Sequence, residues 1–163
     1  MSFVEGYKQQ LLTALDTLDL TQVEQAIRWF EEVRDQGRQI FTCGNGGSAS
    51  TASHFVTDMV KGASFGKEKR FRIHALTDSL ATLTAYSNDV SYDAVFVEQL
   101  KNFAQPGDLL IAISGSGNSA NILRAVDWAK RNGVGEGLDL GRVDPRKLLG
   151  DALEELTGVE SDT

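Results

Sequence analysis

Apolar residues in the first 36 positions recur at the three-to-four-residue spacing of amphipathic helices. The apolar face of the first predicted helix holds Val4, Tyr7, Leu11, Leu15 and Leu18. The second begins with a predicted capping box of Thr21 and Glu24 and ends at Gly37, a residue typical of helix C-termini. The pattern therefore predicts two N-terminal helices over residues 1–36. Periodicity leaves open whether this pair packs on the rest of the chain or contacts another subunit.

From residue 39 onward, short apolar runs alternate with helix-like segments. The predicted strands span residues 39–43, 70–76 and 108–113. The predicted helices span residues 48–60, 79–86, 92–103 and 120–132. This alternation is typical of a parallel sheet covered by helices on both faces, which binds ligands at the carboxyl ends of its strands. The sequence predicts one α/β domain over residues 1–163, a three-layer sandwich with a doubly wound parallel sheet.

Two loops rich in serine and glycine follow the first and third predicted strands. The first spans residues 44–48 and the second residues 114–119, and each precedes a predicted helix. Glycine lets backbone N–H groups approach an anion, a helix N-terminus adds partial positive charge, and serine hydroxyls add donors. The two loops are therefore predicted to bind a phosphate and the polar chain attached to it.

The composition and net charge disfavour several classes of binding partner and metal site. The chain has 163 residues, 41% hydrophobic and 24% charged, with a net charge of −7, which disfavours a nucleic-acid binder or a binder of anionic membranes. A single cysteine, Cys43, excludes an internal disulfide and a multi-cysteine zinc site. The sequence shows no apolar run near the ~20 residues of a membrane span and no signal-peptide pattern. We expect a cytoplasmic protein with a small-molecule ligand.

A dinucleotide is a second ligand class to weigh. The segments 44–49 and 115–120 both fit the pattern G-x-G-x-x-A formally. A dinucleotide fold also needs an acidic residue ~20 positions later, and the candidate after the second predicted strand, Asp78, lies much farther along the chain. Neither loop has the Gly-Lys-Ser/Thr ending of a P-loop. The sequence therefore favours a simpler phosphate ester.

Four motifs in order complete the pattern: Gly-Asn-Gly-Gly-Ser-Ala at 44–49, His54, Asn-Asp at 88–89, and Ile-Ser-Gly-Ser-Gly-Asn-Ser-Ala-Asn-Ile at 113–122. Together they resemble the sugar-isomerase (SIS) domain family, and within it the phosphoheptose isomerases of sedoheptulose 7-phosphate. The resemblance covers residues 3–133. It implies the SIS fold, a phosphorylated sugar as ligand, aldose–ketose isomerisation through an enediol, and a homotetramer whose sites neighbouring subunits complete.

The resemblance also implies particular site residues. Those implied for the phosphate are Ser114, Gly115, Ser116 and Ser119. Those implied for the sugar, or for positions beside it, are Asn45, Gly46, Gly47, Ser48, Asn88 and Asp89.

His54 and Asp58 stand four residues apart on a predicted helix and so share one face. From the residues alone, this pair is compatible with a zinc site, an acid–base pair or a structural contact. The resemblance implies that both residues are catalytic and that both bind zinc. The family has Glu where this chain has Asp58, which is one methylene shorter, and that Glu is the family's expected base.

Residues 134–163 depart from the family, which continues with an apolar strand and a helix bearing a Gln and a His that complete the metal site. This segment is instead rich in glycine and charge, with a short predicted helix over 146–156. The other histidine, His74, falls in a predicted strand. The zinc ligand set is therefore incomplete, and one hypothesis for the divergent tail is a shifted reading frame.

These departures keep a second hypothesis open. In it the chain is a non-catalytic SIS-domain protein, either a phosphosugar sensor or an oligomeric adaptor such as one that associates with a replication initiator. Both hypotheses require the two loops to face one ligand.

Overall fold

A computed structural model describes residues 2–135 and shows a parallel sheet of three strands. The strands are β1 (Gln39–Gly44), β2 (Arg72–Ala75) and β3 (Leu109–Ile113), in the order β2-β1-β3. The three strands lie where the sequence predicts them, although β2 is shorter than residues 70–76. The divergent tail and the predicted helix over 146–156 fall outside the described residues.

The described residues, 2–135, contain six α-helices. They are α1 (Phe3–Asp16), α2 (Leu20–Asp35), α3 (Gly47–Thr57), α4 (Leu80–Asp89), α5 (Val97–Phe103) and α6 (Ala120–Arg131). A π-helical turn over Asp58–Ala63 continues α3, and a 3-10 turn over Tyr92–Ala94 precedes α5. The predicted helix over 92–103 is therefore divided, and Val95 and Phe96 are buried at the division. None of the helices described is long and apolar enough to cross a membrane.

Alternate residues of β1 face opposite sides of the sheet. On one side, the Thr42 hydroxyl donates to the Ala52 carbonyl of α3 at 3.3 Å. On the other side, Phe41 and Cys43 join a buried cluster with residues between the 3-10 turn and α5 and with residues of α5 and α6. Burial raises the pKa of the Cys43 thiol to about 12, so it stays neutral. The sheet is thus the middle layer of three, as the alternation of strands and helices predicts.

The two N-terminal helices differ in how they pack. From α2, Phe30 makes edge-to-face contacts with Phe55 of α3 at 5.7 Å and with Phe71 at 6.4 Å between ring centroids. No α1 residue is buried within the described structure, and Val4 is 72% exposed and Leu15 53%. The second helix therefore packs on the domain, whereas the first leaves its apolar face open.

The predicted capping box of Thr21 and Glu24 is wrong. The N-cap of α2 is Asp19, whose carboxylate accepts the Thr21 N–H at 3.0 Å. The Thr21 hydrogen bonds lower the pKa of Asp19. Because this acid already caps the free amide, Thr21 lies inside the helix. A capping box does occur on α1, where the Ser2 N–H donates to the Glu5 carboxylate at 2.8 Å.

The chain reverses sharply after β1, and the turn depends on glycine. A Cβ at Gly44 would lie 2.5 Å from the Ser48 carbonyl oxygen. Two residues later, Gly46 has φ +53°, a left-handed conformation that favours glycine, and it is the N-cap of α3. This close approach brings the N-terminus of α3 directly to the end of the strand.

We expect Gly44→Ala to destabilise the fold by about 1–3 kcal/mol, because the added methyl group would overlap Ser48 backbone. Thermal and urea unfolding would measure the change. Gly6→Ala is the matched control, since its Cβ would meet no atom within 4 Å and alanine favours helix α1. Equal stability of the two variants would contradict the tight turn described here.

Candidate functional site

The two serine–glycine loops begin side by side. In the parallel pairing of β1 with β3, Gly44 is aligned with Ile113, the last residue of β3. The first loop leaves β1 at Asn45, and the second leaves β3 at Ser114. Both therefore start at the carboxyl edge of the sheet, as the sequence predicts, and each leads into a helix.

Both helix N-termini at this edge have backbone N–H groups available to donate to a ligand. Neither α3 nor α6 has a side-chain hydrogen bond at its N-cap in the described structure. Within residues 2–135, the backbone N–H groups of Ser116, Ser119 and Ala120 donate to no other group. Free amides at the positive ends of helices are the usual means by which proteins bind anions without charged side chains.

The second loop is held in shape by its own serines. The Ser114 hydroxyl oxygen accepts the Gly117 N–H at 3.0 Å, and the Ser116 hydroxyl oxygen accepts the Asn118 N–H at 3.3 Å. Gly117 has φ +65°, which lets the loop curl. Because each hydroxyl accepts in these bonds, its own O–H remains available to donate to a ligand.

A hydrogen-bonded cluster joins the first loop to α6. The side-chain amides of Asn45 and Asn121 donate to each other's oxygen atoms, both at 2.9 Å, and the Tyr92 hydroxyl donates to Asn45 Oδ1 at 2.9 Å. Sequence reasoning missed Asn121 and Tyr92. A polar residue among the buried positions of α6 was a signal for Asn121, but the local pattern held none for Tyr92.

The end of β2 is tied to α3 by a second cluster. The Ser53 hydroxyl donates to Asp78 Oδ1 at 2.7 Å and lies 3.0 Å from the Thr77 hydroxyl. Asp78, the residue weighed above as a ribose-binding acid, is therefore bonded to a serine of α3. The loop after β1 is thus fixed to α6, and the loop after β2 is fixed to α3.

Asn88 and Asp89 lie in the last turn of α4 and are exposed. The Asn88 amide donates to Asp89 Oδ1 at 2.7 Å, and no hydrogen bond in the described structure joins either side chain to the two loops. Tyr92, three residues after Asp89, donates to Asn45 of the first loop.

His54 and Asp58 share one helix face, as predicted. Their Nε2 and Oδ2 atoms lie 3.6 Å apart, and both side chains are exposed. Asp58 begins the π-helical turn, an irregularity that is frequent at functional sites. At 1.5 Å per residue, His54 lies about 10 Å along α3 from its first residue, Gly47. Within one chain, therefore, the pair does not converge with the loops on a single point.

The described residues do not form a zinc site by themselves. Zinc sites in proteins use three or four protein ligands. Across residues 2–135, no group of three or more His, Cys, Asp or Glu side chains is placed to hold a metal ion. His54 and Asp58 supply two donors, so a zinc ion there would need ligands from elsewhere.

The family match and the related proteins point to the same family. The SIS domain family matches residues 4–135. The phosphoheptose isomerase of Thiobacillus denitrificans is 46% identical over 119 residues, which are 72% of this chain and 59% of the relative. The probable phosphoheptose isomerase of Thermoplasma volcanium is 42% identical over 118 residues, with the same two coverages. The chain thus spans about 59% of the length of these curated relatives.

Solved structures agree with this match. The phosphoheptose isomerase of Neisseria gonorrhoeae superposes with a TM-score of 0.70 at 34% identity, covering 80% of this chain and 67% of that one. The phosphoheptose isomerase of Francisella tularensis gives 0.73 at 27% identity, covering 85% and 75%. With its parallel sheet, its paired loops and a family match over residues 4–135, this chain belongs to the SIS domain family.

Proposed function

We propose that the two loops bind the phosphate group of a small phosphorylated sugar. The observation that carries the proposal is the alignment of Gly44 with Ile113, which starts both loops at one edge of the sheet. Each loop leads into a helix whose N-cap makes no side-chain hydrogen bond in the described structure. The names of the related isomerases support this class of ligand.

The phosphate is held mainly by the second loop. Its oxygen atoms accept the N–H groups of Ser116, Ser119 and Ala120 and the O–H groups of the loop serines, with Ser114 and Gly115 shaping the loop. Such a cradle is uncharged, so it suits a chain with a net charge of −7. The first loop, from Asn45 to Ser48, borders the sugar, and Asn88 and Asp89 approach from the end of α4.

The distance from the loops to His54 suits a seven-carbon chain. His54 lies about 10 Å along α3 from Gly47. Six carbon–carbon bonds of about 1.5 Å each give a heptose a contour of roughly 9 Å. With its phosphate at the loops, an open-chain heptose 7-phosphate laid along α3 brings its carbonyl end to His54 and Asp58.

We propose that the reaction is the isomerisation of sedoheptulose 7-phosphate to the aldose heptose 7-phosphate. The Asp58 carboxylate takes a proton from C1, and His54, 3.6 Å from Asp58, passes a proton to the carbonyl oxygen on C2, which gives an enediol. Asp58 then returns its proton to C2, while the hydroxyl on C1 gives its proton back to His54 as the aldehyde forms. Proton transfers balance across the two steps, and no atom is gained or lost.

Several properties of the whole protein follow as proposals. Both His54 and Asp58 are exposed in one chain, and α1 leaves apolar residues open; a homotetramer in which a neighbouring subunit encloses this end of the site satisfies both. A zinc ion at His54 and Asp58 belongs to the proposal only if further ligands come from outside the described residues. A cytoplasmic location accords with a phosphorylated sugar as substrate.

The named relatives favour an isomerase over the phosphosugar sensor or adaptor. Both hypotheses assign a ligand to the loops, so binding alone does not separate them, whereas turnover does.

Removing the two loop hydroxyls tests the phosphate site. We expect Ser116→Ala together with Ser119→Ala to weaken binding of sedoheptulose 7-phosphate by about 100-fold or more, because two hydrogen bonds to a charged group are lost and each contributes about 1.5–3 kcal/mol. Isothermal titration calorimetry measures the affinity. Ser87→Ala is the control, since the Ser87 hydroxyl bonds only within α4, to the Leu83 carbonyl. Unchanged affinity in the double variant would remove the phosphate assignment.

Substitutions of Asp58 test its proposed role as the general base. We expect Asp58→Ala to lower the rate of aldose formation by about 100- to 10,000-fold, the usual contribution of a general base. Asp58→Glu restores the family's residue and moves the carboxylate about an ångström outward, so we expect turnover to rise, by up to about 100-fold. Chromatography of the aldose product measures both rates, and calorimetry checks that substrate still binds. Binding without turnover in the wild type and in Asp58→Glu would favour the sensor instead.

A further inference from the structure

We propose that Tyr92 and Asn121 are positioning residues that lock the side chain of Asn45 and hold the first loop in register with the second. The proposal rests on the proposed function of the loops as a phosphosugar site. It adds two residues that the sequence motifs do not assign, and it changes the role expected of Asn45.

The contact between the two asparagines is a reciprocal amide pair. Asn45 Nδ2 donates to Asn121 Oδ1, and Asn121 Nδ2 donates to Asn45 Oδ1, both at 2.9 Å. The partners are 76 residues apart in the chain, and Asn121 is only 1% exposed. Two parallel hydrogen bonds between planar groups restrain distance and tilt together, which a single bond does not.

The orientation of both amides follows from a backbone group. The Ile122 N–H, which is only a donor, lies 2.9 Å from Asn121 Oδ1. That atom is therefore the oxygen, and the nitrogen of Asn121 faces Asn45. The Asn45 atom opposite it must accept, so the Tyr92 hydroxyl donates to the same Oδ1 at 2.9 Å.

The pair leaves Asn45 little capacity for a ligand. Its Oδ1 accepts from both Asn121 and Tyr92, so both lone pairs are used. Its Nδ2 has one hydrogen atom left after the bond to Asn121. Asn45 therefore offers a ligand a single donor and no acceptor, which suits a phosphate or carbonyl oxygen and not the hydrogen of a sugar hydroxyl.

The placement of the three residues shows what they control. Asn45 opens the first loop, Asn121 lies in the first turn of α6 behind the second loop, and Tyr92 begins the 3-10 turn after α4. The second loop keeps its own bonds, from Ser114 to Gly117 and from Ser116 to Asn118. Loss of the lock would thus free the Asn45 side chain from α6 and leave the hydrogen bonds of the second loop intact.

This asymmetry gives a test with two probes, sedoheptulose 7-phosphate and inorganic phosphate. We expect Tyr92→Phe to weaken phosphosugar binding by about 5-fold, the effect of one ordinary hydrogen bond, and to leave phosphate binding unchanged. Titration calorimetry measures both affinities on the full chain. Tyr86→Phe is the matched control, since the Tyr86 hydroxyl makes no hydrogen bond within residues 2–135, and it should alter neither affinity.

A second variant tests whether the two residues act through the same group. We expect Asn121→Ala to weaken phosphosugar binding as well, and the variant with both changes to lose less affinity than the product of the single losses, because both act on Asn45. If Asn121→Ala fails to fold, Tyr92→Phe decides the question alone, since it removes one oxygen atom from an exposed side chain.

The proposed lock is wrong if Tyr92→Phe binds the phosphosugar as tightly as the wild type, even with a lower melting temperature. It is also wrong if Tyr92→Phe weakens binding of both probes equally, or if the affinity losses of the two single variants multiply in the double variant. Failure of the wild-type chain to bind the phosphosugar would instead overturn the proposed function.

Hydrogen exchange of the Asn45 side-chain amide, followed by NMR, then tests the proposed lock separately from ligand binding. We expect slow exchange in the wild type and faster exchange in Tyr92→Phe, and equal rates would refute it.

Discussion

The parallel pairing of β1 with β3 is the constraint on which the site depends. It aligns Gly44 with Ile113, so two loops far apart in sequence leave the sheet side by side. The buried cluster that Phe41 and Cys43 form with α5 and α6 packs on one face of the sheet and stabilises this pairing. Burial of each large apolar side chain there contributes about 1.5–3 kcal/mol. The same core that stabilises the fold therefore fixes the distance between the loops.

On this base, the loops work with neutral groups. In the proposed phosphate site, backbone amides and serine hydroxyls at two helix N-termini provide the hydrogen-bond donors, and the reciprocal pair of Asn45 and Asn121 joins the first loop to α6. Helix α3 then places His54 about 10 Å along its axis from Gly47, about the length of a seven-carbon sugar, and Asp58 follows in the π-helical turn. One helix thus links the first loop, which borders the sugar in the proposed site, to the proposed reacting end.

Local patterns predicted the three strands and the two loops, because apolar strand segments and glycine-containing turns depend on residues that are adjacent in the sequence. The i, i+4 contact of His54 with Asp58 was predictable for the same reason. The pairing of Asn45 with Asn121 was not, since it joins residues 76 apart through tertiary structure. The capping box failed at closer range, because Asp19 competed for the same helix start.

A crystal structure of the protein with sedoheptulose 7-phosphate bound tests the proposed site most sharply. We expect the phosphate between the two loops, within hydrogen-bond distance of Ser116 and Ser119, with the sugar chain running along α3 toward Asp58. A phosphate bound elsewhere, or a sugar directed away from α3, would contradict it.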